Sequence, residues 1–113
     1  MFKNSEFEYE LDEVIRIKST RDLREYTEKL VKEVLVRERV VPADIEVVIP
    51  VGADSWEVSP QKILYYEADF ECFKEPHETT FFGTVVIEGE VWKDTPREAE
   101  IYLKTAVIRL EDR

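Results

Sequence analysis

The residues with the clearest potential for chemistry lie between Glu75 and Glu78, where His77, the only histidine, has a carboxylate on either side. Imidazole and carboxylate groups, together with the thiol of Cys72 a few residues earlier, are typical ligands of zinc or nickel. No ligand spacing typical of a metal site accompanies them, and a histidine in a solvated turn is the favoured interpretation of His77. We therefore predict that the protein binds no structural metal and needs no cofactor.

Pairs of carboxylates two residues apart are the second chemical feature, because this spacing places both groups on one face of a strand. The pairs are Asp69/Glu71, Glu88/Glu90 and Glu98/Glu100. Such pairs can hold a divalent cation or divide acid and base roles, but outward-facing glutamates in strands produce the same spacing. Ser55 and Ser59 lack a glycine elbow, and three isolated glycines cannot form a phosphate cradle. The sequence thus identifies no catalytic residue and favours a protein that is not an enzyme.

The elements that would position these groups are three long strands within Lys62 to Glu111, joined by proline-containing turns at Glu75 to Glu78 and Asp94 to Arg97. Folding about the first turn predicts same-face pairs, namely Leu64 with Gly89, Tyr66 with Ile87, Ala68 with Val85, Phe70 with Gly83 and Cys72 with Phe81. Folding about the second predicts Val91 with Ile101, Gly89 with Leu103, Ile87 with Thr105 and Val85 with Val107. This mostly apolar face is the predicted core.

The opposite face is acidic at one end but apolar at the other, where alternation predicts polar residues. An element of the same chain could cover this apolar end, or it could be a subunit interface. We predict a homo-oligomer whose interface contains residues of this face and one residue of the irregular segment 52–61. These residues are Phe73, Phe82, Val86, Ile108, Leu110 and Trp56. Trp56 fits either an anchor onto the domain or an exposed contact.

The remainder of the chain completes an α+β domain. Alternation from Glu6 to Lys18 predicts a strand with a bulge near Asp12 to Val14, and a 3.6-residue period predicts an amphipathic helix from about Thr20 to Arg37. A second strand, Ile45 to Val51, precedes the three long ones. The order of one strand, one helix and four strands predicts a long, bent antiparallel sheet wrapped around the helix.

This order of elements resembles cystatin-like and hot-dog-like topologies. The glutamine-valine-glycine inhibitory loop of cystatins is missing from the sequence, and no hot-dog catalytic signature is present. The resemblance therefore concerns topology, and fold alone does not imply either function.

Composition predicts one domain of 113 residues. Charged residues make up 37% of the chain whereas Asn4 and Gln61 are the only side-chain amides, a combination typical of hyperthermophile proteins. We expect a thermophilic source. We also expect a cytoplasmic protein with no membrane association, because the sequence has neither a run of apolar residues long enough to span a bilayer nor a secretory signal.

The net charge of −10 is uneven. Residues 1–42 hold nine basic and ten acidic residues, a net of −1, and residues 43–113 hold seven and sixteen, a net of −9. A surface with this much negative charge would repel phosphate groups, so direct binding to nucleic acid is disfavoured. The same charge suits a basic protein partner. We predict an acidic, non-enzymatic interaction or accessory protein. A hot-dog-like enzyme with a pocket between subunits and an acidic nucleic-acid mimic are the alternatives.

Overall fold

The computed structural model describes residues 5–75 and 78–111, and within them one helix packs on one face of a six-stranded antiparallel sheet. The elements are β1 (Glu6–Ile17), α1 (Thr20–Arg37), β2 (Glu46–Val48), β3 (Asp54–Val58), β4 (Ile63–Glu75), β5 (Glu78–Asp94) and β6 (Ala99–Glu111). The strand order is β1-β6-β5-β4-β2, and β3 pairs with β4 as well. The predicted α+β class is confirmed. Pro76 and His77, at the predicted turn, lie outside the described residues.

Helix α1 has the predicted bounds. Ser19 precedes it in an extended conformation, and the Asp22 carboxylate accepts a hydrogen bond of 2.7 Å from the Lys18 backbone N–H. A carboxylate in the first turn also interacts favourably with the positive end of the helix dipole. At the other end Arg39 has a φ of 60°, and the Val40 N–H donates to the Leu35 carbonyl. Local residues therefore set both ends of the helix.

The core lies between α1 and one face of the sheet, here called the inner face. Leu23, Val31 and Leu35 of the helix are fully buried against the inner-face residues of the three long strands. Thr27 is also buried, and its hydroxyl donates to the Leu23 carbonyl at 2.7 Å. This local bond lets a polar residue occupy the apolar side of the helix.

The predicted register between β4 and β5 is confirmed. All five predicted pairs, from Leu64 with Gly89 to Cys72 with Phe81, are observed. The predicted pairs of Val91 with Ile101 and Gly89 with Leu103 between β5 and β6 are also observed. The inner face was therefore predicted correctly for β4, β5 and the first part of β6.

Beyond Leu103 the predicted register is wrong, because Lys104 is an extra residue in β6. Gly89 pairs with Leu103 and Glu88 with Thr105, which leaves Lys104 as a bulge. A one-residue shift moves every later side chain to the other face. Ile87 consequently pairs with Ala106 and not Thr105, and Val85 pairs with Ile108 and not Val107. Leu110 and Ile108, predicted on the outer face, are fully buried in the core.

A second bulge lies in β1 at the same level of the sheet. Glu10 pairs with Thr105 and Glu13 with Leu103, so two residues of β1 lie opposite Lys104. One of them, Asp12, has a φ of 45°. The predicted bulge near Asp12 to Val14 is confirmed. At this level β6 has one more residue than β5, and β1 has one more residue than β6. We call this level, which divides the sheet into two regions, the bulge line.

The segment 52–61, predicted to be irregular, contains the short strand β3. It pairs with β4 through Asp54 with Ala68 and Val58 with Leu64. The prediction was therefore one strand short after the helix. Among the described residues, no helix has the length and apolar character needed to cross a membrane.

Candidate functional site

The outer face of the sheet, which points away from α1, is the candidate functional surface. Its side chains form rows across the strands, because directly opposed residues of antiparallel strands share a face. One row runs from Glu8 through Val107 and Val86 to Glu67, and the next holds Glu6, Arg109, Thr84 and Asp69. Acidic residues thus lie at both ends of these rows, and uncharged residues occupy most of the middle.

We call this arrangement the carboxylate-flanked strip. Its floor is formed by β5 and β6, where five half-buried residues, Phe82, Thr84, Val86, Thr105 and Val107, share the face with the charged Glu88 and Arg109. Its flanks are Glu8 and Glu10 on β1, and Glu67, Asp69 and Glu71 on β4. The flanking strands are separated by three interstrand steps, or about 14 Å. The strip is therefore a weakly apolar surface between two acidic flanks.

The strip is concave at two places. One groove of about 460 Å³ lies across β6, with Glu8, Glu10 and Glu88 around Val86 and Val107. A second groove, of about 410 Å³, lies where β4 meets β5 and includes Phe82 and Thr84. Both are open depressions in a sheet surface, with the shape expected for contact with a macromolecule rather than enclosure of a small substrate.

The charges of the outer face are poorly balanced. Arg109 lies 3.3 Å from Glu6, and Lys104 lies 2.7 Å from Glu90. The Lys104 ammonium, and then the indole N–H of Trp92, hold the pKa of Glu90 below its usual value. Within residues 5–75 and 78–111, no lysine or arginine makes a salt bridge with Glu8, Glu10, Glu67, Asp69, Glu71 or Glu88. The strip therefore carries negative charge that no salt bridge among these residues neutralises.

Beyond the bulge line, the outer face changes from acidic to aromatic. Trp92 stacks on Tyr102 with ring centroids 5.0 Å apart, and the Tyr102 hydroxyl donates to Asp12 at 2.6 Å. Next to this pair lie Val14 on β1 and Ile63 on β4, both in the row of Tyr102. We call Val14, Ile63, Trp92 and Tyr102, together with Tyr65 in the adjoining row of Glu88, the aromatic end. It contains the exposed Trp92 and Ile63, which are 55% and 52% accessible.

The predicted interface residues are not brought together. Phe82 and Val86 lie on the outer face, as predicted, and Phe73 is half-buried at an irregularity in the pairing of β4. Ile108 and Leu110 are fully buried inside the chain, because the bulge at Lys104 turns them inward. The predicted six-residue patch therefore does not exist as one surface. Val107 occupies the outer-face position expected for Ala106, and Arg109 occupies the one expected for Ile108.

Trp56 is the sixth predicted interface residue. It pairs with Tyr66 and so lies on the inner side of the sheet, 40% exposed, beyond the edge of α1. It borders a small depression of about 270 Å³ shared with the start of α1 and the 94–97 turn. Its position is therefore on a different surface from the other predicted interface residues.

The titratable groups of the inner side have structural partners. The Tyr66 hydroxyl donates to Asp54 at 2.8 Å, and Arg24 lies 3.7 Å from the same carboxylate oxygen. Burial, followed by the hydrogen bond to Asp54, raises the pKa of Tyr66 above its usual value. This network joins α1 to β3 and β4, so it stabilises the cover of the inner face.

The candidate nucleophile and metal ligands do not form a reaction centre. Cys72 is fully buried on the inner face, as predicted, and burial raises the pKa of its thiol to about 12. A neutral, buried thiol is a poor nucleophile. Among the described residues, no group of three His, Cys, Asp or Glu side chains is placed to hold a metal ion. His77 lies outside them, so the metal prediction stays a prediction.

Sequence reasoning missed the aromatic end and Val107. Alternation along β5 puts Trp92 on the face opposite to Val91, but its stacking on Tyr102 depends on the register shift between β5 and β6 that follows Val91. The row of Val14 and Tyr102 depends on two bulges in different strands.

No family model matches the chain, and neither a curated protein nor a solved structure matches it.

Proposed function

We propose that this chain is a non-enzymatic accessory protein that binds a basic segment of another protein on the carboxylate-flanked strip. The observation that carries the proposal is the combination of a mostly uncharged floor with flanking carboxylates that lack cationic partners among the described residues. A lysine-rich or arginine-rich partner would supply the missing counter-charges. Complementary charge of this kind governs the rate and selectivity of association.

The test is a titration with a lysine-rich peptide that contains prolines and so cannot form a helix. We expect binding that weakens at least about tenfold between about 20 and 200 mM salt, because exposed charges are screened over this range. The triple variant Glu8→Gln, Glu67→Gln, Asp69→Asn should bind about tenfold more weakly than the wild type at low salt.

A matched control separates the strip from net charge. The variant Glu25→Gln, Glu33→Gln, Asp44→Asn removes the same number of charges from residues outside the strip, and it should retain wild-type affinity. Equal weakening of both triple variants would contradict a localised site. An acyl-CoA thioesterase activity that survives purification would contradict the non-enzymatic part of the proposal.

Self-association remains a separate proposal, and the structure changes its expected surface. With Ile108 and Leu110 inside the core, the exposed apolar residues of the outer face lie mainly at the aromatic end. We therefore place a contact between copies there. Cytoplasmic location and thermophilic origin remain predictions from composition.

A further inference from the structure

We propose that the occupant of the carboxylate-flanked strip is a basic amphipathic helix, with an apolar stripe on the floor and lysine or arginine residues toward both flanks. This inference rests on the proposed function and specifies the partner's structure. The strip offers three constraints on an occupant, which are its width, its backbone hydrogen bonding and its charge.

The first constraint is width. The flanking strands β1 and β4 are about 14 Å apart, because β5 and β6 lie between them. An α-helix with its side chains is about 10 to 12 Å in diameter. A single helix therefore fits between the flanks, and its long basic side chains can reach carboxylates on both sides. The acidic residues of the β4 flank, from Glu67 to Glu71, extend over about 14 Å, which corresponds to roughly nine residues of a helix, and Glu8 and Glu10 of the β1 flank extend over about 7 Å.

The second constraint is hydrogen bonding. The strip is a sheet face, where the backbone groups of β5 and β6 are already paired with neighbouring strands. An extended peptide gains its backbone hydrogen bonds at a sheet edge, whereas on a sheet face its N–H and C=O groups can pair only with water. A helix satisfies its backbone internally. It can therefore bury an apolar stripe on this face without exposing unpaired backbone groups to the contact, which makes it the element best suited to pack there.

The third constraint is charge, and it distinguishes a partner from a second copy. Two copies of this chain packed outer face to outer face would bring acidic flanks against acidic flanks in either orientation. Glu8, Glu67 and Asp69 have no salt bridge within the described residues that would relieve this repulsion. A helix with basic residues on both sides of an apolar stripe meets like charge at Arg109, which already contacts Glu6, and at the bulge line at Lys104, which already contacts Glu90.

The floor sets the apolar stripe. Val86 and Val107 are directly opposed on neighbouring strands, and Thr84 and Thr105 lie beside them in the adjoining rows. These side chains are short, so the helix can approach the sheet closely. Small and medium apolar residues on the stripe, such as alanine and leucine, would pack on them, with the charged residues outside this contact.

The experiment compares two peptides of about 18 residues with the same composition and no proline, titrated against the full chain. In the first, leucine and alanine form one stripe with lysine on both sides; in the second, the same residues are rearranged so that no stripe forms. We expect the striped peptide to bind at least about tenfold more tightly. Its circular dichroism should also become helical on binding.

Two variants locate this preference. The double variant Val86→Ser, Val107→Ser should remove most of the advantage of the striped peptide, while binding of the rearranged peptide changes little. Val14→Ser, Ile63→Ser makes a matched change at the aromatic end and should leave the advantage intact.

Each contrary outcome has a distinct meaning. Equal binding of both peptides would overturn the helix inference but leave the proposed function in place, and binding of neither peptide would overturn both. If the protein alone formed dimers that Val86→Ser, Val107→Ser dissociated, the occupant would be a second copy and the inference would be wrong.

Discussion

The two faces of the sheet are made from alternate residues of the same strands, yet they have opposite properties. Along β4, Leu64, Tyr66 and Ala68 are buried under α1, whereas the intervening Tyr65 and Glu67 point outward. The inner face is closed by apolar packing and by hydrogen bonds to the helix. The outer face has an acidic region and an aromatic region, separated by the bulge line. The comparison shows that two bulges, rather than composition alone, decide which residues are available to a partner.

The largest expected effect comes from exchanging one residue on each face for threonine. Ile108→Thr should lower the free energy of unfolding by about 3 kcal/mol, because it removes buried methyl groups and buries a hydroxyl. Val107→Thr, one residue away on the outer face, should cost about 0.5 kcal/mol or less. Urea denaturation measures both. Similar losses for the two variants would mean that the bulge at Lys104 is misplaced.

The next effect concerns the connection between α1 and the segment that follows β2. The Glu28 carboxylate accepts a hydrogen bond of 2.8 Å from the N–H of the buried Ile49. Glu28→Ala should therefore cost about 1 to 3 kcal/mol, since a buried donor loses a charged acceptor. Glu25→Ala removes an exposed pair with Arg21 and should cost about 0.5 kcal/mol or less. A loss after Glu25→Ala as large as after Glu28→Ala would contradict this role.

Alkaline pH should lower the free energy of unfolding, because it ionises a tyrosine of the inner face. The folded state raises the pKa of Tyr66 above 10.0, so its contribution to stability is complete below pH 10 and is lost as the pH rises further. Tyr66→Phe should reduce the loss of stability above pH 10, by up to about 1.4 kcal/mol per pH unit. Thermal unfolding at a series of alkaline pH values measures this. If stability depended on pH in the same way in Tyr66→Phe and the wild type, ionisation of Tyr66 would not be what destabilises the folded state.

The smallest expected effect is on self-association through the aromatic end. In the wild type we expect a concentration-dependent increase in sedimentation coefficient, which Trp92→Ser combined with Ile63→Ser should reduce. Val86→Ser should leave it unchanged, because the acidic strip repels a second copy. Sedimentation of the wild type as a monomer at micromolar concentrations would end the prediction of an oligomer.

The sequence predicted the parts of the fold where burial enforces a period. Helix α1 and the five pairs from Leu64 with Gly89 to Cys72 with Phe81 belong to the core, where a wrong parity would expose apolar side chains. In β1, adjacent polar residues at Asp12 and Glu13 indicated a bulge, and one is present. These predictions succeeded because each depended on a local pattern.

The failures have the same physical origin. Lys104 and Thr105 are also adjacent polar residues in an alternating strand, but the apolar residues that follow them occur at consecutive positions, so either parity leaves an apolar face. Only the register with β5 decides between them. Strand β3 was missed because it lies at the edge of the sheet, where Trp56 and Val58 remain exposed and burial imposes no alternation. The predicted outward positions of Ile108 and Leu110 failed with the parity of β6.

Binding on the carboxylate-flanked strip is tested most directly by locating a bound basic helix on the chain. Treating the complex of the full chain and the striped peptide with a carbodiimide joins lysine amines to carboxylates that they contact, and mass spectrometry identifies the residues joined. We predict cross-links on both flanks of the strip, at Glu8, Glu10, Glu67 and Asp69. We predict few cross-links at Glu25 and Glu33 of α1. Cross-links spread equally over both sets, or confined to α1, would contradict binding on the strip.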